Sequence, residues 1–130
     1  MTKTTDTTAP ADASSPAPVT DQVMQQLLGA SPPRIVFLLR RGPRYDDPAT
    51  LPLQWEHARN MFSLLRAGTL LSVTALMDGT DVLGVGVLAS GTRESAEALL
   101  AQDPAVRGGR VTVQFHTGAS FRPEDLATAG

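Results

Sequence analysis

Apolar residues fall along the chain in four short extended runs and two helical stripes, and the first thirty residues join neither pattern. The run Ile35-Val36-Phe37-Leu38-Leu39 is bounded by Pro33 and by Gly42-Pro43, which favours a buried strand over a helix. After a loop over residues 42–52, Thr50 offers an N-cap and Pro52 a first-turn proline, and Ala58, Met61, Phe62 and Leu65 recur at helical spacing until Gly68. A helix is predicted there. Residues 69–77 and 82–89 are rich in strand formers and flank Asp78-Gly79-Thr80-Asp81, so they form an antiparallel hairpin. Thr92 caps a second helix carrying Ala96, Leu99 and Leu100 on one stripe and ending near Asp103-Pro104. Over residues 110–117, Val111, Val113 and Phe115 alternate with Thr112, Gln114 and His116, the period of a half-buried strand.

The order βαββαβ predicts an α+β, ferredoxin-like domain over residues 31–122, a four-stranded antiparallel sheet with two helices on one face. Its other face is open. The polar set on the last strand suits that face to a cleft or a dimer interior. Residues 1–30 are expected to be a disordered tail, being almost wholly Thr, Ala, Pro, Ser and Asp up to residue 20, with a short helix at 21–29 that forms only if it docks. A loose C-terminal tail is expected over 123–130.

Composition narrows the partners. With 130 residues, net charge −2 and no basic run beyond Arg40, Arg41 and Arg44, the chain lacks the clustered positive face that nucleic acid requires. The absence of cysteine excludes disulfides and thiolate chemistry. No apolar stretch approaches the roughly 18 residues of a spanning helix and no signal-peptide centre is present, so no membrane partner and a cytoplasmic location are expected. A domain of about a hundred residues buries a modest share of its surface, which makes a homodimer the natural expectation.

The segment from Trp55 through Phe121 resembles the YCII-related (YciI-like) family of small dimeric α+β barrel proteins. It contains an early helical His57 followed by a Leu-rich stretch, Gly68 and the Thr69-Leu70-Leu71 strand, then Thr92-Arg-Glu-Ser-Ala-Glu-Ala-Leu-Leu, Asp103-Pro104, a glycine and the last strand. The resemblance implies a His57–Asp103 pair at the active site. Thr74-Ala75 stands where the family carries Gly-Pro at the end of the second strand, which alters the pocket wall.

From the residues alone, His57 near a helix N-terminus reads either as a general base, where the helix dipole disfavours added positive charge, or as a structural histidine bonded to a neighbouring loop. Asp103 reads either as a turn-forming Asp before proline or as the carboxylate that orients His57. Ser72, Thr74, Gln114 and His116 can line the open sheet face and bind substrate, and Trp55 can roof a pocket or make a core or dimer contact. Gly84-Val-Gly86 lies inside a strand and so lacks the context of a dinucleotide fingerprint. With two histidines at unrelated spacing, no metal and no cofactor are expected. Taken with the family resemblance, the His57–Asp103 pair implies cofactor-independent proton transfer by a lyase, isomerase or cyclase acting on a small molecule. Similarity to related dimeric α+β barrel families also implies a polycyclic aromatic or polyketide intermediate or a cofactor-free monooxygenase as alternatives, and a non-catalytic small-molecule-binding or accessory module is the reading from another class.

Overall fold

The computed structural model describes residues 16–127. The disorder expected over 1–20 falls mostly on residues 1–15, outside the described residues. The described residues fall into two compact units, residues 31–120 on the one hand and the flanking segments 16–30 and 121–127 on the other.

The flanking unit consists of α1 (Asp21–Ala30) and α5 (Pro123–Ala127). Thr20 caps α1 by accepting from Val23 N–H at 3.2 Å, and the helix buries none of its residues. Residues 123–127, expected to be loose, instead form a short helix after Arg122 N–H donates to the Asp125 carboxylate at 2.8 Å.

Residues 31–120 contain β1 (Pro33–Arg41), α2 (Pro52–Arg66), β2 (Leu70–Ala75), β3 (Val82–Leu88), α3 (Arg93–Leu100), α4 (Pro104–Arg107) and β4 (Val111–Ala119). The sheet order is β2-β3-β1-β4, antiparallel throughout. This is the ferredoxin-like arrangement. Alternation along β1 sends Ile35, Phe37 and Leu39 into the core with Met61, Leu88, Leu100 and Val111. Val36 and Leu38, half-buried, face the other way.

Several local outcomes differ from the sequence expectation. Thr50 does not cap α2: it sits in a 3-10 turn (Pro48–Thr50), its hydroxyl donating to the backbone oxygens of Arg44 and Asp47, and is 1% exposed. The buried stripe of α2 is Leu53, His57, Met61 and Leu64, whereas Phe62 is 64% exposed. A polar pair interaction, described below, holds His57 inward and rotates the stripe. Gly68 ends α2 at φ +79°, its N–H donating to Leu65 O and that of Thr69 to Leu64 O, the paired bonds of a Schellman stop. The Thr92 cap forms as expected, in a reciprocal box with Ser95.

The strand glycines have a packing role. The ring of Phe37, fully buried on β1, occupies the space that a side chain on Gly86 of β3 would fill. A Gly86→Val substitution therefore overpacks the sheet and is expected to cost about 1–3 kcal/mol, read as a lower thermal midpoint; an unchanged midpoint would show that the ring has room to move.

Candidate active site

His57 occupies the second turn of α2, beyond the first turn in which a helix dipole acts strongly. Its environment is set by another element. Asp103, expected at the end of the second helix, lies past the end of α3 and is the N-cap of α4, accepting from Ala105 N–H at 3.0 Å and Val106 N–H at 3.3 Å through Oδ2. Pro104 at the first helical position imposes this cap, because the residue before a proline is held extended; Asp103 has φ −63° and ψ 132°.

The two side chains meet in the interior. His57 Nδ1 lies 2.9 Å from Asp103 Oδ2, with His57 7% and Asp103 0% exposed. Asn60, one turn further along α2, donates its Nδ2 to Asp103 Oδ1 at 2.7 Å. Burial pushes the Asp103 carboxyl upward, but the hydrogen bonds from His57 and Asn60, the charge of His57 and the Ala105 N–H together outweigh it and hold the group below its ordinary value of 3.8. An ionised carboxylate only accepts, so Nδ1 carries the hydrogen of this bond. Nε2 is left as the free ring nitrogen, with no protein partner among the described residues.

His57 also lines a cavity of about 160 Å³ between α2 and the sheet. Its deepest wall is buried Leu39, Met61, Gly84 and Val111, and its more open wall includes Gln54, Phe62, Val73, Ala75 and Leu83. A larger concavity of about 370 Å³ lies on the outer flank of α2, lined by Trp55, Ala58, Arg59, Phe62, Ser63 and Arg66. All its named lining comes from a single helix and includes no buried titratable group. The smaller cavity is the one that touches the His57–Asp103 pair.

The remaining candidate residues are not gathered around that pair. Trp55 is 70% exposed and lines the outer concavity rather than the cavity beside His57. Ser72 pairs with Val87, Gln114 with Leu38 and His116 with Val36, which places their side chains on the face opposite Phe37 and Leu39. The sheet stands between them and His57. Thr74 shares that face through its pairing with Val85, yet also contributes to the cavity wall. The pair therefore does not share the open face with the residues expected to bind substrate: it lies in the helix layer, because His57 points inward from α2 and Asp103 caps a helix packed against α2.

Two contributors escaped the sequence reading. Asn60 is one; its signal was the i,i+3 spacing from His57, which places both on one helix face. Arg110 is the other, 7% exposed, donating to Tyr45 O at 2.9 Å, Thr50 Oγ1 at 3.3 Å and Gln54 Oε1 at 3.3 Å, its guanidinium 4.5 Å from the Tyr45 ring centroid. It ties the loop after β1 to the start of α2. Among the described residues, no three His, Asp or Glu side chains stand close enough together to hold a metal ion, and no helix is long and apolar enough to cross a membrane. Comparison with protein-family models and with curated proteins returned no match to this chain.

Proposed function

We propose that this protein is a cofactor-independent proton-transfer enzyme of the YCII-like kind, a lyase or isomerase in which His57 Nε2 removes a proton from an activated carbon of a small molecule. The observation that carries this reading is the 2.9 Å contact between His57 Nδ1 and buried Asp103, made by a histidine that also lines a cavity. Asp103 fixes the tautomer and stabilises the imidazolium formed when the proton is taken, without itself accepting it. Delivery of the same proton to a neighbouring atom gives an isomerase; loss of a leaving group from the carbanion gives a lyase.

Deuterium incorporation tests this without knowledge of the natural substrate. A 1,3-dicarbonyl such as 2-acetylcyclohexanone in D2O should exchange its acidic C–H faster with the protein than with an equal concentration of free imidazole. No acceleration across a set of such carbon acids would reject the proposal.

The active form proposed is a homodimer built through the open sheet face. Its centre carries half-buried Val36, Leu38, Val85 and Val87, flanked by the polar Ser72, Thr74, Gln114 and His116. A two-fold axis would pair this patch with itself, and a domain of this size gains from covering it. Light scattering should give twice the 13.7 kDa chain mass, falling to one chain mass for Leu38→Lys; a monomeric parent protein would remove the dimer from the account.

A further inference from the structure

We infer that the cavity beside His57 takes a neutral, single-ring ketone or its enol, and that carboxylates, phosphates and fused polycycles are poor ligands. This rests on the proton-transfer reading for its chemistry but not for its binding test. Size gives the first argument. A cavity of about 150 Å³ lined by aliphatic and aromatic side chains accommodates benzene, and the one here is about 160 Å³. One ring matches that volume, and three fused rings exceed it, so a polycycle would have to extend out through the open wall.

Charge gives the second. Leu39, Met61, Val73, Leu83 and Val111 make the lining largely apolar, and neither Lys nor Arg is among the lining residues. An anion entering such a site loses its hydration without gaining a countercharge, which is strongly unfavourable. The imidazole faces the Asp103 carboxylate, so it brings no unpaired positive charge. Arg110, which touches Gln54 at the cavity, has its guanidinium engaged by Tyr45 O, Thr50 Oγ1, Gln54 Oε1 and the Tyr45 ring.

Polarity gives the third argument, and it concerns a single residue. Arg110 Nε donates to Gln54 Oε1 at 3.3 Å, which fixes the orientation of the amide. Gln54 Nε2 remains a donor without a protein partner among the described residues, on a residue that is exposed and lines the cavity. One amide donor suits one carbonyl oxygen, and a bond to that oxygen strengthens as an enolate develops. Gln54 is thereby the specificity-determining residue for a ketone or enol.

Protein-observed methyl and amide NMR on the full chain tests this, with 2-acetylcyclohexanone, cyclohexanecarboxylate and anthrone as probes. The neutral single-ring probe should shift Met61, Val73 and Leu83 and saturate, and the other two should bind those residues at least about tenfold more weakly. Gln54→Leu should weaken the ketone about three- to tenfold. Ala75→Arg, at an exposed position on the open wall, should narrow or reverse the preference against the carboxylate. Leu83→Phe, on the same side, should reduce ketone binding by filling the space. Equal binding of the carboxylate or anthrone, or ketone shifts confined to other residues, would overturn the inference. Selective ketone binding without deuterium exchange would leave the ligand assignment standing and remove the catalytic reading.

Discussion

An Asp103→Ala variant is expected to lose about 3–5 kcal/mol of stability, the largest effect of any single change considered for this fold. Four donors converge on that carboxylate: His57 Nδ1, Asn60 Nδ2 and the N–H groups of Ala105 and Val106. Truncation removes every acceptor at once and leaves an imidazole, an amide and a helix start without partners in a buried site. For a domain of this size about 1 kcal/mol moves the melting temperature by roughly 4–8 °C, so a fall of more than 10 °C is the expected calorimetric result. A fall of a few degrees would mean that water satisfies these groups.

The same carboxylate predicts an acid limb. Its folded value lies below the ordinary 3.8, so the unfolded chain takes up the proton more readily. The stabilisation is therefore fully present above the unfolded value and is lost as the pH falls through the folded one, below 3.8. Asp103→Asn, which cannot titrate, should flatten that part of the stability profile. An unaltered limb would assign acid unfolding to other carboxylates.

Loss of His57 should act on rate more than on fold. His57→Gln is expected to lower the exchange rate by about 10²–10⁴, the usual contribution of a positioned general base. The glutamine amide can still donate toward Asp103 but presents no basic nitrogen to the cavity. Even without that donor, Asn60, Ala105 and Val106 would hold the carboxylate, so the domain should remain folded. A variant that folds and exchanges at the parent rate would reduce His57 to a staple between α2 and α4. One that unfolds would leave the Asp103→Asn rate to decide the point.

The strands were legible in the sequence where punctuation and pattern agreed. Pro33 and Gly42 bracket a short apolar run and so favour a buried strand over a helix, and Asp78-Gly79 marks a hairpin whose glycine adopts φ +75°. The rotation of α2 was harder to read, because Phe62 and Leu65 were expected on its apolar stripe, whereas the inward face carries buried His57 with half-buried Asn60 beside it. Their burial depends on Asp103, which is 46 residues from His57 in the chain and invisible to a local window. Helix α4 has four residues, too few to show any period, so its cap looked like a simple turn. Arg110 gave no signal of burial, since its partners Tyr45, Thr50 and Gln54 are all supplied by a distant segment. The open-face residues were correctly placed on one face by alternation. Which face His57 would serve depended on how α2 rotates, and that is fixed by the Asp103 contact.

Side-chain 15N NMR of His57 at pH 8 tests the central claim most directly, with and without 2-acetylcyclohexanone. The account predicts hydrogen on Nδ1, protected by Asp103, and a bare Nε2 whose resonance moves when the ligand enters. Hydrogen on Nε2 with Nδ1 bare, or an Nε2 signal indifferent to the ligand, would contradict it.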